Sequence, residues 1–289
     1  MTSPAEGTTP SSGLRRVFLP SDGAPPWSKK LRFGWVLEGL AIAGVSFCYE
    51  TLRNLVQGSA AAAMANAKAL TTIEQWIGLY HERTVQGWFL GSPVVMGFWN
   101  FYYDTAHFFV PLFVAIYLYV KFPPRYVLIR NTFFILLLGI GQLAWLSLPI
   151  NPPKWMPARY GFVDSQVKYY NIGPQKPLRY GPDGEPAADV IAQTGNPYGG
   201  LPSHHGSWAL LCVLALWPIV RSRWAKGLLI GHVVLTIGAI TATGNHRFID
   251  VPASVVELAF AYALALALQH ALARRRQRRL REQPALLAS

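Results

Sequence analysis

The chain has 289 residues, 52% of them hydrophobic and 14% charged, with a mean hydropathy of +0.23 and a formal charge of +12. Soluble domains carry roughly 25% charged residues, so this balance excludes an ordinary water-soluble domain, and it also excludes disordered, collagen-like and disulfide-framework chains. The charge is not a nucleic-acid footprint: Arg15, Arg16, Lys29, Lys30 and Arg32 at one end and six arginines from Arg274 to Arg281 at the other place eight of the twelve net charges on the flanks of an apolar body.

Residues 1–30 are rich in Pro, Gly, Ser and Thr and lack a long apolar core, so they read as a flexible tail and not as a signal peptide. A first apolar run follows from Phe33 to Leu55, carrying Glu38 near its start and Glu50 and Arg53 near its far end. Gly58–Gly78 is Ala-rich and helical in pattern, but Lys68 and Glu74 make it an interfacial or bundle-side helix. Val85–Asn100 is interrupted by Gly91-Ser92-Pro93. Five further runs follow: Phe101–Val120, Tyr126–Ile150, Gly206–Val220, Ala225–Thr243 and Val251–Leu272. About 20 residues cross a hydrocarbon core of ~30 Å; the run from Gly206 is shorter and needs a turn from its flanks. The expected fold is therefore all-α, a polytopic bundle of six transmembrane helices over residues 31–272. An outer loop spans 151–204, and a basic tail occupies 273–289.

The basic turns Lys121–Arg125 and Arg221–Lys226 join the two tails on one side of such a bundle. By the positive-inside tendency that side is cytoplasmic, which describes a multi-pass plasma-membrane protein with both termini inside. The remaining polar residues then converge on the outer face: Ser203, His204 and His205 in LPSHHGSW, and Asn245, His246 and Asp250 in TGNHRFID.

His246 and Asp250 are four apart, so on a helix the carboxylate accepts the imidazole N–H and raises the basicity of the other ring nitrogen. Pro252 conflicts with a helix running through this segment and favours a helix start at Asp250. Pro202-Ser203 before an apolar run reads as another helix start, with Ser203 as N-cap and free N–H groups suited to an anion. His246 is thus a nucleophile toward phosphorus and His205 an acid and base. Cations for the nonbridging oxygens are available in Lys154, after Pro152-Pro153, and in Arg159, with Arg179 a weaker candidate. Asp104 and His107, three apart in an apolar helix, are either an acceptor-side pair, together with His204, or a mutually satisfied structural pair. Glu38 reads as a packing or lipid-interface residue, Glu50–Arg53 as an interfacial pair, and Arg130 as snorkelling to the near surface.

These segments resemble the type 2 phosphatidic-acid phosphatase superfamily, which pairs Pro-Ser-x-His at a helix start with His-x-x-x-Asp. Here the two patterns fall on Pro202-Ser203-His204-His205 and His246-Arg247-Phe248-Ile249-Asp250. The resemblance is nearest to the subgroup of inositol phosphorylceramide synthases, whose Pro-Pro-basic element matches Pro152-Pro153-Lys154 and whose second-span stretch is similar to Tyr102–His107. It implies His246 as nucleophile, His205 as general acid and Asp250 as the orienting carboxylate. Two of the family's phosphate clamps have no counterpart: Lys154 and Arg159 lack the family's spacing, and Ile240 stands at an arginine position. Lys154, Ser203 and Asn245 are the substitutes.

The expected activity is hydrolysis of an extracytoplasmic lipid phosphate or prenyl diphosphate through a phosphohistidine, with a membrane lipid as substrate, no nucleic acid partner and no metal or organic cofactor needed. Transfer of a phospho-headgroup to a lipid alcohol is the alternative. A transporter is a more distant reading, since its polar residues would be spread through the membrane depth. A metal site of His204, His205, His246 and Asp250 matches no recognised ligand spacing.

Overall fold

Apolar helices set the architecture, because backbone N–H and C=O groups in hydrocarbon must find partners within their own segment. The computed structural model describes residues 34–55, 59–166, 168 and 198–286; the expected tail 1–30, Arg179 and residues 169–197 of the expected outer loop lie outside the described residues. The described part is all-α. The elements are α1 (Gly34–Leu55), α2 (Ala60–Trp76), α3 (Glu82–Phe89), α4 (Pro93–Lys121), α5 (Pro123–Leu138), α6 (Ile140–Ser147), α7 (His204–Leu216), α8 (Arg223–Ala242) and α9 (Asp250–Leu286). Two short 3-10 turns, Pro153–Trp155 and Ala158–Tyr160, follow α6.

Five stretches are long and apolar enough to cross a membrane: α1, α4, α5 running into α6, α8 and α9. The sixth expected span is shorter than a crossing. At 13 residues, α7 is about 20 Å long, and Pro218 follows just after its end. Its last carbonyls are answered inside the protein, where the buried Arg125 donates Nε–H to Ala215 O at 2.6 Å and Nη2–H to Leu214 O. The expected run from Tyr126 to Ile150 is divided at Gly139, where a Cβ would run into the Ile135 carbonyl. The helix of the expected 101–120 span starts eight residues early, because Ser92 accepts Val95 N–H as N-cap and Pro93 occupies the first turn. The last helix runs without a break through Arg274, Arg275 and Arg276, where a separate tail was expected.

The core lies among α4, α5, α7 and α9, with Leu118, Leu136 and Ala215 fully buried. By contrast, α1 packs chiefly on α5 and presents Trp35, Leu40 and Phe47 outward, as a lipid-facing helix does. Its buried acid is Glu38, whose carboxylate takes Arg130 Nη1–H at 2.6 and 2.8 Å and the Tyr126 hydroxyl at 3.0 Å. Arg130 is therefore tied within the bundle and does not snorkel.

Interfacial α2 and α3 have a specific task. Arg247, 1% exposed, donates Nη1–H to Glu74 at 3.1 Å and to Thr71 at 2.9 Å. Glu74 also accepts Ile249 N–H at 3.3 Å, and Glu82 accepts Phe248 N–H at 2.8 Å. One turn further on, Gln86 donates to Ala242 O at 3.1 Å. The segment between α8 and α9 is thus fixed by buried carboxylates of α2 and α3, helices outside the five long apolar stretches.

With both carboxyls ionised the buried trio would carry a net negative charge, so the pair favours holding one proton. Burial first, then Glu82, pushes the Glu74 carboxyl up to about 8 despite Arg247. A carboxyl raised on folding contributes stability that is complete below its unfolded value of ~4.3 and is lost as pH rises through the raised value. The Tm of the detergent-purified protein should therefore fall between about pH 5 and about pH 8 and level off above. Glu74→Gln, which cannot ionise but still accepts Ile249 N–H, should flatten that slope; an unaltered slope would show that Glu74 is not the titrating group.

Candidate active site

The junction of α8 and α9 meets the start of α7 around a polar cavity of about 360 Å³. Ser203 caps α7 by accepting Gly206 N–H at 3.4 Å, which commits its hydroxyl oxygen to the helix start. Gly244, at φ +69°, turns the chain out of α8 and accepts Lys154 N–H at 2.8 Å. Ile240 O then receives the N–H groups of both Asn245 and His246 at 3.1 Å. The position at which the family carries an arginine thus contributes a backbone acceptor and a fully buried side chain.

His246 and Asp250 do meet, but across a turn and not on a helix. Asp250 begins α9, and its Oδ2 accepts Arg247 N–H at 2.9 Å and His246 Nδ1–H at 3.0 Å. Pro252 accounts for the difference, since its ring and missing N–H keep 246–249 from winding into the helix. His246 Nδ1 also lies 3.1 Å from Gly200 O. Both neighbours are acceptors, so Nδ1 holds the proton and Nε2 keeps its lone pair.

His205 sits beside it, with ring centroids 5.3 Å apart. Its ring stacks on Tyr103 at 4.3 Å and lies 4.3 Å from His107. Three imidazoles, 107, 205 and 246, therefore form a row along one wall. His205 Nε2 has no hydrogen-bond partner among the described residues.

The other expected residues divide. Lys154 and Asn245 line the cavity; Lys154 Nζ–H is donated to Gln166 at 2.7 Å, with Asp164 3.7 Å away, and Asn245 donates to Thr243 at 2.8 Å. Arg159 does not line it: the side chain is exposed and lies over the Tyr160 ring. Asp104 and His107 are not a mutual pair. His107 donates to Tyr103 O at 2.7 Å and faces the cavity, while Asp104 accepts from Gln166 at 3.0 Å. His204 lines the same cavity, but its Nε2–H goes to Glu257 at 3.2 Å. The four residues weighed as a metal site therefore do not converge, and among the described residues no group of three or more His, Cys, Asp or Glu could hold a metal ion.

Sequence reasoning passed over two contributors. Arg53, at the end of α1, borders the cavity as its second cation beside Lys154 and bonds Glu50 at 3.4 Å. Its place at the far end of the first apolar run, level with the histidines, was the available signal. Glu257 is the other, a buried carboxylate seven residues beyond Asp250 that also accepts the Ser207 hydroxyl. An isolated acid in an otherwise uncharged run should itself have pointed to a partner.

Residues 68–264 match the family model of the PAP2 superfamily. The chain belongs to the PAP2 superfamily. Its general activity is accordingly that of a PAP2 phosphatase or phosphotransferase acting on lipid phosphate groups. No curated protein and no solved structure matches the chain significantly.

The His204–Glu257 pair depends on space left by α6. A Cβ on Gly141 would overlap both Glu257 Oε1 and His204 Nε2. Gly141→Ala should therefore destabilise the protein by about 1–3 kcal/mol through overpacking and lower turnover, read as a reduced Tm together with a reduced rate. A variant with wild-type Tm and rate would show that this pair is not tightly packed.

Proposed function

We propose that the protein hydrolyses a lipid phosphate or diphosphate through a phosphohistidine on His246. The single observation that carries the reading is the oriented His246–Asp250 contact, which frees Nε2 beside His205 at the edge of a cavity holding Lys154 and Arg53. In the first step the Nε2 lone pair forms an N–P bond as the P–O bond to the leaving group breaks. His205, protonated, gives its proton to the departing oxygen. In the second step His205 takes a proton from water, the water oxygen attacks phosphorus and the P–N bond breaks. Lys154 and Arg53 answer the charge on the nonbridging oxygens, and Asp250 stabilises the His246 imidazolium. None of these steps calls for a cofactor.

A second reading has its own support. His204–Glu257 is another histidine–carboxylate pair on the same cavity. It offers a base for an alcohol acceptor, and so for transfer of a phospho-headgroup to a lipid alcohol, as the resemblance to the inositol phosphorylceramide synthase subgroup suggests. The basic turns and the arginines of α9 lie at the end of the bundle away from this cavity. By the positive-inside tendency the cavity then faces the extracytoplasmic side of the plasma membrane, with both termini in the cytoplasm.

Purified protein given a panel of lipid phosphates, scored for free phosphate and for transfer to added alcohols, tests both readings. His246→Ala should lower turnover by ~10³-fold or more. Acid-labile label from ³²P-substrate should be trapped on the wild type and not on this variant. Turnover persisting in both His246→Ala and His205→Asn would overturn the assignment.

A further inference from the structure

A second, apolar cavity of about 330 Å³ adjoins the catalytic one. The two share Tyr49, Glu50, His107, Phe108 and Trp208 along their boundary, so the second lies directly beside the first. It descends between α1, α4, α5 and α7, past Ile42, Ala115, Phe133 and Leu211. Phe108 and Leu112 on its wall are also half exposed on the outer surface of α4, so the cavity has a side on the lipid.

At its lower end the lining reaches Tyr126 and Arg130, the residues that hold Glu38. A buried ion pair in the hydrocarbon region is costly unless something requires it there. Along α1 the distance from Glu50 to Glu38 is about 18 Å at the helical rise. That depth is close to one leaflet, half of a hydrocarbon core of ~30 Å. The volume stands near the lower end of the ~300–1,000 Å³ range of ligand pockets. An apolar slot of this depth, adjoining the cavity that holds His246 and ending on fixed charges, fits one hydrocarbon chain of acyl length.

We infer that this cavity holds a single chain of the lipid whose phosphate reacts, and that the Glu38–Arg130 pair forms its floor and sets the longest chain accepted. The inference rests on the proposed lipid-phosphate reading. It narrows the substrate class to lipid phosphates with a chain about one leaflet deep, in preference to long polyprenyl diphosphates. A chain leaving lipid for this slot gains little from apolar burial, since both surroundings are apolar. Selection therefore comes from where the floor stops it.

The test is a competition assay. Single-chain alkyl phosphates of graded length and one long polyprenyl diphosphate are mixed in the same vesicles, and relative kcat/KM is read for each. Wild-type protein should use chains up to the slot's depth about equally and discriminate about tenfold against longer ones, the equivalent of a modest overpacking cost. Ala115→Phe, which fills the slot part-way down, should move the cut-off to shorter chains. Glu38→Ala/Arg130→Ala, which removes both charges together and so leaves neither unpaired, should move it to longer ones. The Ala115→Phe result decides the matter if the double variant does not fold. A cut-off unmoved by Ala115→Phe, or a wild type that prefers the polyprenyl substrate, overturns the slot while leaving the catalytic reading intact. Absence of turnover on every lipid phosphate, with wild-type protein folded, refutes the catalytic reading and the slot with it.

Discussion

Arg247 is a guanidinium with almost no access to water, and an unpaired ion in that position costs several kcal/mol. Its partner Glu74 comes from a helix 173 residues earlier in the chain, and the same carboxylate reaches on to the Ile249 N–H. Glu82 does the same for Phe248. His246 is therefore followed by backbone whose N–H groups are held by buried carboxylates. Asp250 completes the arrangement by taking the Arg247 N–H and the His246 ring N–H with one oxygen. Without the charge on Arg247, Glu74 would lose its cation and the docking of α2 here would weaken.

The shortness of α7 is the second constraint. A helix that begins with His204 and His205 at the cavity and ends after 13 residues leaves its last carbonyls well inside the bundle. Arg125 answers them from α5. Opposite its first turn, the division of α5 from α6 at Gly139 and the bare backbone at Gly141 make room for His204 and Glu257 to meet. Cavity and helix ends are thus one design: the backbone groups freed where a helix stops or is interrupted are answered by side chains, because the hydrocarbon would otherwise leave them unpaired.

Polar chemistry and apolar space are also arranged in sequence along the depth of the bundle. Cations and imidazoles ring the upper cavity, aromatic side chains such as Tyr49 and Trp208 line its junction with the lower one, and a buried ion pair terminates the lower one. That order matches the order of groups in an amphiphile, headgroup first and chain beneath. A conductive path would show the opposite pattern, with polar groups continuous through the interior.

Hydropathy alone determined most of the helices, because the hydrocarbon requirement acts on local composition and leaves a run of apolar residues little alternative. Spacing and charge bias determined that His205, His246, Asp250, Lys154 and Asn245 would gather at one end, since each lies beside a helix end on the same side of the bundle. Tertiary structure decided the rest. The partners of Arg247, Glu38 and His204 come from helices 53 to 173 residues away, and no local pattern encodes which buried charge will find which. It also decided that His246 and Asp250 meet across a turn, that Arg53 and not Arg159 stands at the cavity, and that the span opening at His204 stops short. Each of these is settled by what packs against a side chain, and a sequence read along its length carries only what lies next to it in the chain.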